Sequence, residues 1–128
     1  ANTLLHRQRR LPDRDYQRLL NRSRITFTSL SPLDLTGTRY YEAMASRSLV
    51  LCQASPLYEQ LGLFTPDEHC VPVREDLADF DAALTTYLDD DEARRAIIDA
   101  AYEHVMTHHT WAQRVQTATE TIRTQLLG

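Results

Sequence analysis

Between residues 34 and 42 the chain gathers Asp34, Thr36, Gly37, Thr38, Arg39 and Glu42, a set whose types suit a phosphorylated, hydroxyl-rich ligand. In an α/β unit, the loop after a strand's carboxyl end and the start of the next helix form the ligand crevice. Gly37 lets backbone approach a ligand closely, and a helix beginning at Thr38 offers N–H groups and a positive dipole end to a phosphate. Arg39 adds a cation able to make two parallel hydrogen bonds. Glu42, one turn into the helix, has two oxygens for a vicinal diol such as a ribose. Asp34, eight residues earlier, is placed to meet a second polyol. Two carboxylates flanking a glycine-containing helix start describe a nucleotide-sugar site better than either does alone. The competing reading makes Thr38 a plain N-cap, Gly37 a turn residue, and Arg39 and Glu42 surface charges.

Other chemistry-bearing residues have plainer explanations. His104 and His108 stand four apart on a helix with His109 beside them, which is metal-ligand spacing. Without HExxH, and with no Cys or Asp nearby in sequence, they read as histidines favoured by the dipole of a helix's last turn. Asp89, Asp90, Asp91 and Glu92 read as a helix start, because a Ca²⁺ loop needs a glycine and a ligand spacing that are absent. Cys52 and Cys70 form no C-x-x-C pair and read as buried free thiols. Tyr40, Tyr41 and Met44 are expected in the core, Trp111 is expected to anchor the last helix on the sheet, and His69 is expected to be a satisfied buried histidine.

The bases narrow the mechanism. All fourteen basic residues are arginine. A P-loop, a Schiff-base enzyme and a phospho-receiver site each need a lysine and are excluded within this chain. Charge is lopsided: residues 1–24 hold seven arginines against Asp13 and Asp15, and the remainder holds seven arginines against sixteen acids. A basic start suits nucleic acid or anionic lipid, but it also suits a solvated helix, and that is the expectation here. The acidic bulk and the absence of a basic aromatic stripe argue against a nucleic-acid module. No apolar run reaches the length of a membrane span and no signal peptide opens the chain, so a cytoplasmic location is expected.

These residues need elements to position them. Helices are expected over Asp13–Arg22, Thr38–Arg47, Ser55–Gly62, from Glu75-Asp76 to about Leu88, from the Asp89-Asp90-Asp91-Glu92 cap onward through Ala93, Ala96, Ile97, Ala100, Ala101 and Val105, and from Thr110 onward. The last carries the stripe Trp111, Val115, Ala118, Ile122, Leu126. Strands are expected over Ile25–Ser29, Ser48–Cys52 and His69–Val73. Pro72 places the third at an edge or at its frayed end. Alternating strands and helices mean a parallel sheet. The fold class is therefore α/β: a partial Rossmann-like, three-stranded parallel sheet with flanking helices and a helical C-terminus. Residues 1–12 form a basic N-terminal segment and 13–128 a single unit. Three strands are too few for a complete doubly wound sheet, and the chain begins at alanine, so the unit is expected to be half of a larger domain.

Arg39-Tyr40-Tyr41-Glu42-Ala43-Met44-Ala45-Ser46 resembles a segment of the donor-binding half of GT-B glycosyltransferases, nearest the branch grouped with the CgeB spore-maturation proteins. The likeness continues through Leu61-Gly62-Leu63-Phe64, Glu68-His69-Cys70-Val71-Pro72-Val73, the Tyr87-Leu88-Asp89-Asp90 helix end and His109-Thr110-Trp111-Ala112-Gln113-Arg114. Retaining members of that fold carry an E-x7-E pattern. The resemblance places its second glutamate, which binds the ribose, on Glu42, and its first, which contacts the transferred sugar, on Asp34. The aspartate departs from the pattern and is shorter. Thr36, Gly37 and Thr38 match the loop that meets the diphosphate.

The resemblance further implies transfer without a divalent metal, with the site stabilising charge on the leaving diphosphate. The arginine and lysine that do so in such enzymes lie upstream, in a half this chain does not contain, and the acceptor domain is missing too. The expected function is thus a glycosyltransferase donor-binding fragment, holding a nucleotide-diphosphate sugar and inactive alone. The alternative is a non-catalytic GT-B-like interaction or assembly module. The open edge of the Ile25–Ser29 strand is expected to pair with a second copy.

Overall fold

A computed structural model describes residues 11–30, 36–53 and 55–126. Three strands, β1 (Ile25–Thr28), β2 (Leu49–Cys52) and β3 (Val71–Pro72), form one parallel sheet in the order β1-β2-β3. Ile25 pairs with Leu49, Thr28 with Cys52, and Leu51 with Val71. The expected α/β class with a three-stranded parallel sheet is what the chain adopts.

β2 is buried at every position, because the continuous apolar run Leu49-Val50-Leu51-Cys52 sits between two layers. Val50 and Cys52 join Leu20, Tyr40, Ala43, Met44, Tyr58, Phe64, Ala101 and Val105 on one face. Leu49 and Leu51 join Val71, Val73 and Ile97 on the other, with Phe80, Leu84 and Tyr87 against them. β3 is shorter than expected. Pro72 has no N–H to extend the ladder, and Cys70 pairs with Pro66 instead of lengthening the strand.

The helices follow their local signals. Helix α1 spans Asp13–Arg22 with Leu20 as its buried residue. Its Arg18 pairs at 3.5 Å with Asp15, both exposed, so this arginine solvates the helix as expected. Helix α2 (Thr38–Ala45) buries Tyr40, Ala43 and Met44. Helix α3 (Pro56–Gln60) has proline at its start, and the Ser55 hydroxyl accepts from Leu57 N–H at 3.2 Å, a side-chain cap. Gly62 closes it at φ +63°, with Leu63 N–H reaching Tyr58 C=O at 2.8 Å, a left-handed stop that glycine adopts without cost.

Two expectations are corrected. The helix after β3, α4, spans Phe80–Asp89 rather than starting at Glu75-Asp76. Leu77 takes φ +57°, which breaks a helix. The side chains of Asp76 and Asp79 accept from Ala78 N–H (3.1 Å) and Arg74 N–H (2.9 Å), tying the segment as a loop. Helix α5 (Asp91–His108) is capped by Asp90, which accepts from Ala93 N–H at 2.9 Å. Its buried face is Arg94, Ile97, Ala101 and Val105, whereas Ala96 is exposed.

The second correction concerns the last helix, α6 (Trp111–Leu126). Thr110 N–H donates to the Gln113 side-chain oxygen at 2.7 Å and the Thr110 hydroxyl accepts from Gln113 N–H at 3.4 Å. That is a reciprocal capping box. The stripe beyond it does not lie on the sheet: Trp111 is 82% exposed, Val115 61% and Ile122 51%. Residues of α2, α4 and α5 pack on the two faces of β2, and Trp111 is not among them. No helix of the described residues is long and apolar enough to cross a membrane.

Candidate functional site

α2 starts eight residues beyond Leu30, on the carboxyl side of β1, where an α/β unit keeps its crevice. Gly37 is the N-cap, with φ −73° and ψ 153°, and no side chain caps the helix. Those angles suit any residue, and a Cβ on Gly37 meets nothing within 4 Å. The fold itself therefore makes no demand for glycine there. Asp34 lies outside the described residues. Thr36 is half-buried, and Thr38 and Arg39 are exposed.

Tyr40 fixes this end of α2. Its hydroxyl donates to Gln53 C=O at 2.9 Å, just past the end of β2. Its ring stacks on Phe64 and meets Tyr58 edge-on, both at 5.6 Å. Anchored so, α2 turns Thr38, Tyr41 and Glu42 toward a cavity of about 430 Å³ whose other wall is His109, Trp111 and Arg114. The expected pair Thr38 and Glu42 is thus brought together. Arg39 is not part of that lining; it lies near enough to Tyr16 for its charge to act on that hydroxyl.

Glu42 also borders a second cavity of about 470 Å³, shared with Asp13, Tyr16, Gln17 and Leu20. The Tyr16 hydroxyl donates to Glu42 Oε2 at 2.8 Å. Burial, then this hydrogen bond, pushes the Tyr16 hydroxyl above its ordinary pKa, so it stays a donor. The bond orients the carboxylate and leaves Oε1 for other donors.

The opposite wall is a chain of polar contacts. Arg114 Nη2 lies 3.2 Å from the Tyr41 hydroxyl and 2.8 Å from His109 Nδ1. His109 Nε2 faces His104 Nε2 at 3.0 Å, and that same His104 nitrogen lies 2.8 Å from Leu63 C=O. His69 stacks on His104 with ring centroids 4.1 Å apart. Burial foremost, then the Arg114 charge and the neighbouring His104 and His108, pull the His109 pKa down to about 4. His69 is lowered too, by burial and then by His104. His69 is the satisfied buried histidine expected: it is 8% exposed, and its Nδ1 accepts from Thr65 N–H at 3.0 Å.

Among the described residues no group of three or more His, Cys, Asp or Glu is placed to hold a metal. Cys52 and Cys70 are free, buried thiols. A hydrogen bond to Cys70, then burial, raises the Cys52 pKa, which keeps it protonated.

Sequence reasoning assigned no site role to Tyr16, Tyr41, His109, Trp111 or Arg114. The usable signal was the T-x-x-Q capping box at Thr110–Gln113. It fixes a sharp turn, and a turn that aims a new helix away from the sheet leaves its first residues facing the crevice. The arrangement offers a carboxylate on one wall and a guanidinium with an imidazole on the other. A ligand with hydroxyls at one end and negative charge at the other matches both. A family model described as glycosyl transferase-like matches residues 2–120. No curated protein matches the sequence.

Proposed function

The chain belongs to the glycosyl transferase-like family, and from that membership we propose that it binds the nucleotide-diphosphate sugar donor of a GT-B enzyme of the CgeB-like branch. Glycosyl transfer is the general function that the family supports. In the finer reading, Glu42 accepts from the ribose hydroxyls. The start of α2, with Thr36, Gly37 and Thr38, faces the diphosphate, Arg39 contributes its charge from beside the cavity, and Asp34 meets the transferred sugar. No divalent metal takes part. The acceptor and the upstream half of the donor site come from other parts of a cytoplasmic protein, so the 128 residues alone do not turn over.

One observation carries this reading: Thr38 and Glu42 share one wall of a cavity large enough for a nucleotide, with Glu42 held ready by the Tyr16 hydroxyl. A hydrogen bond to a charged group is worth about 1.5–3 kcal/mol. Glu42→Ala is therefore expected to weaken UDP or GDP at least tenfold by calorimetry on the full chain. Unchanged affinity removes Glu42 from the ribose.

The exposed α6 stripe and the outer edge of β1, which among the described residues has β2 alone as its neighbour, favour a second reading as an assembly module. It calls for a self-associating chain through that edge. A concentration-independent monomer in sedimentation sinks it.

A further inference from the structure

The contacts around His109 cannot all be made at once by neutral imidazoles. A neutral ring has one N–H and one bare nitrogen. Arg114 donates to His109 Nδ1 at 2.8 Å, so that nitrogen is bare and the His109 proton sits on Nε2. That proton points at His104 Nε2, 3.0 Å away, which must then be bare. Yet the same His104 nitrogen lies 2.8 Å from Leu63 C=O, and two acceptors are left facing each other. Giving His104 Nε2 the proton satisfies Leu63 and lets His109 Nε2 accept. The His109 proton then moves to Nδ1, directly against Arg114. In the first arrangement His109 Nε2–H also reaches Leu63 C=O, but a bare His104 Nε2 is held 2.8 Å from that oxygen; in the second Arg114 loses its acceptor.

Arg114 is the member that can leave. Its side chain is on the exposed helix α6 and lines the cavity. Among the described residues no carboxylate pairs with it, and its other hydrogen-bond partner is the Tyr41 hydroxyl at 3.2 Å.

We propose that Arg114, His109 and His104 form a ligand-set tautomer switch. A phosphate-type anion in the cavity draws Arg114 off His109, and both rings change tautomer: the His109 Nε2 proton passes to His104 Nε2, His104 releases its Nδ1 proton to solvent, and His109 Nδ1 takes up one proton from solvent. Two donors, the Arg114 guanidinium and His109 Nδ1–H, then face the anion, while His104 Nε2–H serves Leu63 C=O and His109 Nε2. One proton is released and one taken up, so both rings stay neutral and the net count with solvent is unchanged. The groups facing His109 fit this account: His104 and His108 on α5, Arg114 on α6, Tyr41 on α2, with His69 behind His104 and Glu42 across the cavity. Glu42 opposes the anion seat in sign, which keeps the charged end of a ligand on the Arg114 side. The inference rests on the donor-site reading for its biological ligand, but not for its chemistry. It also brings one positive charge, the Arg114 guanidinium, and one neutral donor, His109 Nδ1–H, to the cavity of a chain that has no lysine.

The test is nitrogen NMR of the full chain labelled in histidine, titrated with inorganic pyrophosphate at pH 7.5. His109 Nδ1 is expected to be a bare nitrogen before addition and a protonated one at saturation. In Arg114→Gln it is expected to be protonated without any anion, and pyrophosphate should bind at least tenfold more weakly. A His109 that keeps its tautomer at saturation, or in Arg114→Gln, overturns the proposal, as does an absence of pyrophosphate binding. Uridine and UDP separate this from the donor reading. If pyrophosphate switches His109 while Glu42→Ala leaves uridine and UDP unaffected, the switch stands and the donor reading falls. If UDP needs Glu42 but ignores Arg114, the donor reading stands and the switch falls.

Discussion

Arg94 sits where α4 hands over to α5, and replacing it tests whether that elbow is held by a buried guanidinium. The side chain is 5% exposed. Its Nη1 donates to Tyr87 C=O at 2.6 Å and more weakly to Leu88 C=O at 3.4 Å, and Nη2 binds the Asp91 carboxylate. The two carbonyls belong to the last turn of α4, whose oxygens have no partner within the helix. Arg94→Met keeps much of the aliphatic volume and removes every donor. The strong charged hydrogen bond to Tyr87 is worth about 1.5–3 kcal/mol. The Asp91 pair adds about 0–1 kcal/mol, because Asp91 is half exposed and screened. A loss of about 2–3 kcal/mol is therefore expected, and with a urea slope of about 1–3 kcal/mol/M the midpoint falls by about 1–2 M. Arg94→Lys retains a charge but not the fork, and should lose about half as much. Urea unfolding followed by circular dichroism reads both. A midpoint shift below about 0.3 M at an unchanged slope for Arg94→Met refutes the assignment, and so does a lysine variant as unstable as the methionine one.

Two further perturbations separate fold from site. Gly37→Ala should leave stability within about 0.5 kcal/mol of wild type, or raise it slightly by stiffening the unfolded chain, since the backbone angles and the space both allow a Cβ. The same variant should weaken UDP at least fivefold by calorimetry if ligand comes close to that backbone, and unchanged affinity dismisses Gly37 from the site. Acid should destabilise the fold through His109 and His69, whose folded pKa values lie below the unfolded 6.5. Their unfolded forms bind protons first, so the contribution is complete above pH 6.5 and is lost as pH falls toward 4. After solvent screening the His109 share is on the order of 1–2 kcal/mol. Unfolding midpoints that are level between pH 7 and 4.5, or equally steep in His109→Asn, contradict it.

The parallel sheet was legible because β2 is continuously apolar and Ile25–Thr28 is rich in β-branched residues, both local signals. The wall formed by Thr38 and Glu42 was legible because i and i+4 share a helix face. The opposite wall was not. His109 and Arg114 reach Tyr41 from about seventy residues away in the chain, and no periodicity encodes that approach. Trp111 was misplaced for a related reason. Its stripe has the spacing of a buried face, but spacing cannot say whether a sheet face is still vacant. Leu77 shows the local limit. Its pattern fits a helix, yet two aspartate side chains offer the backbone a competing set of bonds.

α6 carries the arginine of the cavity on a helix whose described side chains are exposed but for the half-buried Gln113. A solvated helix of sixteen residues is marginal by itself, so the Arg114 guanidinium stands in the first turn of an arm whose later turns gain no support from packing. Any ligand that engages it must restrain that arm. Occupancy therefore carries an entropic cost beyond that of the ligand, and its calorimetric signature is a favourable enthalpy set against an unfavourable entropy. The amides of α6 would slow their exchange with solvent only when the cavity is filled.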